Sequence, residues 1–415
     1  MKTPLSVCVV GLGYIGLPTA AVIASKDIDV IGVDVNEVVV DALNSGMVRI
    51  VEPGLDKLVQ DVVLSKKLHA SLTPEPADIF IIAVPTPFTE GRGPDISFIK
   101  AATKSIASVL KAGDMVILES TSPVGTTEKM ESWLVELRPD LLFPCQGDQN
   151  SNVRIAYCPE RVLPGKILIE LIENDRIIGG LTERCTQSAI DFYELFVSGS
   201  CIPTNACTAE MAKLTENAFR DVNIAFANEL SFICDHLAIN VWELIELVNH
   251  HPRVNVLQPG PGVGGHCIAV DPWFIIESAP DLAKIIRSAR LVNDKKPDWV
   301  INKVKDAAAK FKEPKIACLG LAFKADIDDL RESPALNITD RLACELDANL
   351  FVVEPYIQHI PAVLKKYKKI EFCNAAKAVQ EADIVLLLVD HKPFLSIDPA
   401  ALSGKIVIDT RGFWR

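Results

Sequence analysis

The chain has 415 residues, 49% of them apolar, 11 cysteines and a formal net charge of −12 at pH 7. That length exceeds one ordinary core and predicts two or three domains, and the apolar share excludes a disordered or fibrous chain. The acidic balance, with no block of Lys or Arg to offset it, argues against nucleic acid and anionic membrane as partners, because phosphate binding needs a basic footprint.

No apolar run reaches the roughly 18 residues that span a bilayer. The N-terminal MKTPLSVCVVGLGYIG runs straight into a folding signal, without a charged segment, apolar core and cleavage site in series. The expectation is a cytoplasmic protein with reduced cysteines, most of them small buried hydrophobes. There is no HExxH or paired CxxC, and His250-His251 has no matching partners, so no metal is expected.

In chain order, Leu5–Gly11, Val30–Val35, Ala77–Pro87 and Gly113–Pro123 read as buried strands with helical patterns between them. This alternation predicts a parallel sheet covered on both faces. Gly11-Leu12-Gly13-Tyr14-Ile15-Gly16 follows the first strand and opens a helix. The first Gly permits the tight turn, the second lets the backbone approach a pyrophosphate, and the third packs helix on strand. Asp34 ends the second strand, 18 residues after Gly16, where an acid accepts hydrogen bonds from ribose hydroxyls. It would repel a 2′-phosphate, and no Arg follows, so the expected cofactor is NAD rather than NADP. Thr86 and Thr121 end later strands of the same sheet, placed for cofactor or substrate; each reads equally well as a turn or cap residue.

Thr208 to Ile239 has no Gly or Pro over 32 residues and predicts one helix of nearly 50 Å at about 1.5 Å per residue. Lys213, Asn217 and Arg220 fall on one face of it, at i, i+4 and i+7. Lys213 and Asn217 could supply a general base or charge donor and an amide donor to a reacting oxygen; Arg220 reads more simply as solvated or ion-paired. In GPGVGGHCIAVDP, Gly262, Gly264 and Gly265 let the chain pass close to a ligand, and their N–H groups could lower the Cys267 thiol pKa or hold an oxyanion. Taken alone, Cys267 reads more simply as filler, and His266 as structural.

The last hundred residues repeat the opening scheme loosely. Lys315–Lys324, Leu350–Pro355 with its terminal acid, Glu381–Asp390 and Gly404–Gly412 parallel the first strands. The predicted fold is α/β: two Rossmann-like doubly wound parallel-sheet domains joined by a long central helix. The expected divisions are 1–200 for the NAD-binding domain, 201–300 for a helical dimerisation domain with the Cys loop, and 301–415 for the second Rossmann-like domain.

GLGYIGLP, STSPVGTT, YCPE, AEMAKLTENAFR, GPGVGGHC with an acid four residues on, and GLAFKADIDDLRESPA stand in the order found in the UDP-glucose and GDP-mannose dehydrogenases. The chain resembles this family over essentially its whole length. CPERVLPG and GGHCIAVDPWFI look most like the branch that acts on UDP-N-acetyl-D-mannosamine for bacterial surface polysaccharides. The resemblance implies a four-electron oxidation at the sugar C6, with Cys267 forming a thiohemiacetal and then a thioester. It implies Lys213 as base or, with Asn217, oxyanion stabiliser; Asp271 ordering water; Glu160 activating water for thioester hydrolysis; and Thr121 at the reacting site. Tyr14 and Ile15 join the glycines around NAD, and Arg331 reaches towards it. Glu160, Arg161 and Val162, with Lys213, Asn217, Arg220, Arg253, Gly264 and Lys324, are implied substrate contacts. The C-terminal domain would bind UDP, and the long helix would form a homodimer core.

Two departures stand out. UDP-glucose dehydrogenases carry Lys where Val270 stands. They also carry an aromatic and a second Glu where this chain has Arg161 and Pro164. Arg161 and its loop are therefore read as recognising an N-acetylated sugar. Rival readings are the same reaction on UDP-N-acetylglucosamine or UDP-glucose, a two-electron hydroxy-acid dehydrogenase needing no thiol, and a non-catalytic nucleotide-sugar-binding regulator.

Overall fold

The computed structural model describes residues 5–414 except 51, 88, 90–92, 148–150 and 164. The chain divides into two compact units, Met1–Thr215 with Trp273–Ser278, and Glu216–Pro272 with Ala279–Arg415. Among the described residues the first unit holds eight strands: β1 Ser6–Val10, β2 Asp29–Val33, β3 Leu68–Ser71, β4 Ile79–Ile82, β5 Met115–Leu118, β6 Arg154–Tyr157, β7 Arg176–Gly180 and β8 Cys201–Asn205. They form one sheet in the order β3-β2-β1-β4-β5-β6-β7-β8. Every neighbouring pair is parallel except β6 with β7.

Strands β2, β1, β4 and β5 are near-continuous apolar runs buried on both faces, as a sheet covered by helices requires. All nine residues of the Gly16–Ala24 helix are buried, so it lies within the core rather than presenting one stripe to it. Strand order reverses between β1 and β4, and a crevice at such a switch point opens at the strands' carboxyl ends. Gly11–Gly16 and Val84–Pro87 leave the sheet there.

The second unit carries β9 Lys315–Leu319, β10 Asn349–Val353, β11 Ile370–Phe372, β12 Ile384–Leu387 and β13 Ile406–Asp409, in the order β11-β10-β9-β12-β13 and all parallel. The repeat read from sequence extends to single hydrogen bonds. Gly11 N–H donates to the Val33 carbonyl at 2.8 Å, and Gly320 N–H donates to the Val353 carbonyl at 2.9 Å. Both glycines need positive φ, +98° and +93°. The acid ending the second strand of each sheet holds the following loop: Asp34 accepts from Leu12 N–H at 3.1 Å, and Glu354 from Leu321 N–H at 2.7 Å.

The long helix runs Ala206–His236, two residues earlier at its start and three shorter at its end than expected. Asn205 Oδ1 accepts from Thr208 N–H at 2.8 Å and caps the start. Ala238 takes a left-handed φ of 54°, and Ile239 N–H turns back to the Cys234 carbonyl at 2.8 Å, which closes the end. A chain free of Gly can thus still terminate a helix, at the cost of placing Ala where Gly is preferred. The expectation that most cysteines are buried is corrected too: Cys8, Cys158, Cys185, Cys234 and Cys318 are buried, but Cys145, Cys267 and Cys344 are exposed and Cys201, Cys207 and Cys373 half-exposed. Among the described residues, no helix is long and apolar enough to cross a membrane.

Candidate active site

In the first unit the glycine loop leaves room where a dinucleotide needs it. A Cβ on Gly11 would lie 2.5 Å from the Ala83 carbonyl oxygen, and one on Gly16 only 1.8 Å from that of Gly11. Those two glycines are fixed by close packing. A Cβ on Gly13 would meet nothing within 4 Å, so its backbone faces open space that a pyrophosphate can enter. Tyr14 is partly exposed and Ile15 precedes the helix. Asp34 Oδ1 accepts from Asn36 N–H at 2.9 Å, which fixes its carboxylate at the sheet edge of the loop. These residues fit an NAD site. Thr86 and Thr121 are brought together: the Thr86 hydroxyl donates to the Thr121 carbonyl at 2.6 Å. Ser120, which sequence reasoning did not single out, clamps the same two loops by accepting from Val84 N–H at 2.9 Å and donating to the Val84 carbonyl at 2.8 Å.

Just beyond β6, Glu160 is buried, and its Oε2 lies 2.6 Å from Nη1 of Arg176, itself almost fully buried at the start of β7. Its Oε1 accepts from Arg161 N–H at 2.8 Å, and its carbonyl accepts from Lys213 Nζ at 2.7 Å. The Arg161 guanidinium donates to the Asp175 carbonyl, and Val162 packs partly buried against the core. Pro164 lies outside the described residues. Behind the pair, the Arg176 guanidinium sits 5.2 Å from the centre of the Tyr193 ring, and the Tyr193 hydroxyl donates to Glu119 Oε1 at 2.8 Å. Burial pushes the Glu119 carboxyl up to about 7, against the pull of Arg176 and with that of Glu160 adding to the rise. Burial likewise pushes the Cys158 thiol up to about 12, so this neighbour of Glu160 stays protonated.

The second unit holds the other group of predicted residues. Asn217, one turn after Lys213 on the long helix, donates from Nδ2 to Asp271 Oδ2 at 2.5 Å. Asp271 is buried, and its N–H and that of Val270 both donate to the Cys267 carbonyl at 2.9 Å. The exposed thiol of Cys267 thus opens the turn into the Asp271–Ser278 helix. The preceding glycines are wedged against the loop after β9. A Cβ on Gly264 would stand 2.5 Å from the Glu332 carbonyl oxygen, and one on Gly265, at φ +80°, would stand 2.9 Å from the Phe323 ring. That loop carries Lys324, exposed, and Arg331, whose Nη2 pairs with Asp329 Oδ2 at 2.6 Å. Arg220 and Arg253 are exposed, and among the described residues no hydrogen bond ties either guanidinium to these clusters.

The unforeseen members are Glu119, Arg176, Tyr193, Ser120 and Asp329. An acid closing the apolar run MVILE, and an Arg opening RIIGG, were the available signals for the first two.

Three domains of one family match in sequence order: the NAD binding domain over residues 5–197, the central domain over 207–295 and the UDP binding domain over 317–415. The chain belongs to the UDP-glucose/GDP-mannose dehydrogenase family. This NAD-dependent UDP-sugar dehydrogenase is 60% identical over 409 residues, 99% of its length and 96% of the relative's, to a protein of Ralstonia nicotianae named NDP-N-acetyl-D-galactosaminuronic acid dehydrogenase. It is also 60% identical over 402 residues, 97% of its length and 98% of the relative's, to the UDP-N-acetyl-D-mannosamine dehydrogenase of Campylobacter jejuni. Among solved structures, the UDP-D-ManNAc dehydrogenase of Pyrococcus horikoshii superposes with a TM-score of 0.88 at 38% identity, covering 99% of this chain and 96% of that one.

Proposed function

We propose that this dehydrogenase oxidises UDP-N-acetyl-D-mannosamine at C6 to the uronate, for surface polysaccharide synthesis in the cytoplasm, through covalent intermediates on Cys267. The observation that carries the covalent route is the exposed Cys267 thiol at the turn into buried Asp271, whose carboxylate is held by Asn217 at 2.5 Å. NAD, when bound by Gly11, Gly13, Tyr14, Ile15, Gly16, Asp34, Thr86, Thr121 and Arg331, supplies the hydride acceptor for both oxidations.

The chain's own residues do the rest. Lys213 takes the hydroxyl proton as the C6 alcohol becomes an aldehyde, with Thr121 beside it. The Cys267 sulfur then bonds to C6, and Lys213 with Asn217 holds the oxygen anion so formed. Loss of a second hydride from C6 leaves a thioester. Glu160 takes a proton from water, whose oxygen bonds to C6 while the C–S bond breaks and the thiolate leaves; Asp271 orders that water. The balance is two hydrides lost and one water oxygen gained per sugar. Arg161, Val162, Arg220, Arg253, Gly264 and Lys324 contact the sugar nucleotide in this reading. We assign residues 1–200 to NAD, 201–300 to dimerisation and the Cys loop, and 301–415 to UDP. The homodimer is supported by exposed apolar residues along the long helix, Phe219, Phe226 and Ile233, and by Leu237 just past its end.

The Ralstonia relative, equal in identity to the Campylobacter one, favours a second reading in which the sugar is N-acetylgalactosamine. NADH yield over a panel of UDP-sugars tests both. Two NADH per molecule of UDP-N-acetyl-D-mannosamine is the expected result, and one per molecule sinks the covalent route. Cys267→Ser should abolish the two-NADH turnover; if it persists, Cys267 is not the nucleophile. Arg161→Ala should narrow the preference for acetamido sugars over UDP-glucose; an unchanged preference removes Arg161 from recognition.

A further inference from the structure

In the second unit the segment that leads into Cys267 has no backbone ladder to hold it. From Asn255 to Gly264 the chain takes neither helix nor strand. Asn249 clasps its start: Oδ1 accepts from Val256 N–H at 2.7 Å, and Nδ2 donates to the Val256 carbonyl at 3.0 Å. Further on, Gly260 stands between Pro259 and Pro261. Each proline ring fixes its own φ, so Gly260 is the free joint that sets the direction of the chain into the loop. A Cβ there would stand 2.6 Å from Arg411 Nη1, so the space a side chain needs is taken. A buried relay fixes this joint. Gly260 N–H donates to Asn228 Oδ1 at 3.0 Å. Asn228 Nδ2 donates to Asn293 Oδ1 at 2.8 Å, and Asn293 Nδ2 donates to Asp221 Oδ1 at 2.8 Å. Arg290 Nη1 donates to the same carboxylate oxygen at 2.5 Å. All four side chains are at most 1% exposed. The direction of each link follows from the charged end. A carboxylate only accepts, so Asn293 turns its NH2 to Asp221 and its oxygen to Asn228. Asn228 then turns its NH2 to Asn293 and its oxygen to Gly260. Burial raises the Asp221 carboxyl to about 6 while Arg290 pulls it down, so above that pH the relay has one direction.

We infer that Asn228 is a positioning residue for Cys267: by holding Gly260 N–H it fixes the course of the Gly262–Gly265 loop and so the place of the thiol. This rests on Cys267 being the nucleophile. Asn228 touches neither sugar nor cofactor in this account. Its end of the relay is an acceptor with no freedom to turn, and the buried Gly260 N–H has no water to take instead. The step it serves is formation of the bond between sulfur and C6. The first hydride leaves C6 before that bond forms and does not need the thiol. The second leaves only from the adduct, in which the sulfur is bonded to C6. A thiol displaced by about 1 Å therefore spares the first oxidation and slows the second by up to about a hundredfold. The aldehyde left waiting, formed from the alcohol by loss of one hydride and one proton, then escapes before it is captured.

The test is single-turnover NADH formation by Asn228→Ala in the full-length enzyme with NAD and UDP-N-acetyl-D-mannosamine, with a hydrazine present to trap free aldehyde. The first NADH should keep its rate, the second should slow by about tenfold to a hundredfold, and NADH per sugar should fall from two towards one as the hydrazone appears. Two NADH with the second at its original rate, or both slowed in equal measure, overturns the proposal. Hydrogen exchange gives a readout apart from activity. Amides of residues 257–267 should exchange faster in the variant while those of the Ala206–His236 helix stay protected, and an unchanged loop overturns the idea. If Asn228→Ala does not fold, Asn293→Ala serves instead. It leaves Asn228 free to turn its oxygen away from Gly260, so the same split between first and second NADH should appear in smaller degree, and its absence again overturns the idea. Cys267→Ser separates this inference from the reading beneath it. If Cys267→Ser still gives two NADH, the covalent role of Cys267 falls and the role of Asn228 falls with it. If Cys267→Ser loses the second NADH while Asn228→Ala keeps it at the original rate, only the role of Asn228 falls.

Discussion

At the scale of single residues, the first unit turns on one buried cation. Arg176 pairs with Glu160 at 2.6 Å and lies over the Tyr193 ring, with both side chains of the ion pair almost wholly excluded from water. Removing one partner of a buried pair leaves the other charged and unsolvated. Arg176→Leu should therefore cost about 3–5 kcal/mol of stability, measured by urea unfolding, and adding Glu119→Gln should recover part of that loss. Glu119 also predicts a pH dependence. Its folded carboxyl keeps a proton up to about 7, against 4.5 for an ordinary Glu. Its stabilising share is thus full below 4.5 and is lost as pH rises through about 7. Relative to the wild type, Glu119→Gln should gain stability between pH 5 and 8, roughly the window between those two values, and hold that gain above it. A stability difference that is flat with pH would mean the carboxyl stays ionised throughout.

At the scale of elements, the long helix shows how local chemistry sets limits that periodicity leaves open. Absence of Gly and Pro from Thr208 to Ile239 allowed a helix to its last residue, yet the chain turns at Ala238 into a left-handed conformation that Ala tolerates poorly. Ala238→Gly should raise stability by about 0.5–1 kcal/mol, the strain relieved less the extra freedom of an unfolded Gly. Asn205→Ala should lower it by about 1 kcal/mol through loss of the cap on Thr208 N–H. Both are read from thermal unfolding, and a destabilising Ala238→Gly would show that the turn is not strained. Among strands, β8 escaped the sequence reading because CIPTN contains Pro203; Pro is admitted because β8 lies at the sheet edge, where a missing donor is tolerated. β7 escaped because RIIGG ends in two glycines, and a Cβ on Gly179 would stand 2.3 Å from the Asn205 carbonyl oxygen, so the sheet requires what strand propensity disfavours.

At the scale of the whole molecule, the proposed homodimer rests on apolar side chains that the single chain leaves in water: Phe219 is 70% exposed, Phe226 54% and Leu237 57%. Phe226→Glu should yield a monomer by sedimentation with the thermal midpoint lowered, and a persisting dimer would move the interface off this helix. The sequence by itself determined the parts whose physics is local. Gly11, Gly13, Gly16 and Asp34 are legible because a tight turn, a phosphate approach and a strand-ending acid each demand a residue type at a fixed spacing. The doubling of the α/β scheme is legible for the same reason, down to Gly320 and Glu354 repeating Gly11 and Asp34. Only the tertiary structure decided the pairing of Glu160 with Arg176 and of Glu119 with Tyr193, whose members stand 16 and 74 residues apart. No periodicity records such pairs. Each is a charge or hydroxyl at a strand or helix end that looks solvated in sequence, and it acquires its partner and its shifted proton affinity only when the sheet brings those ends together and removes the water.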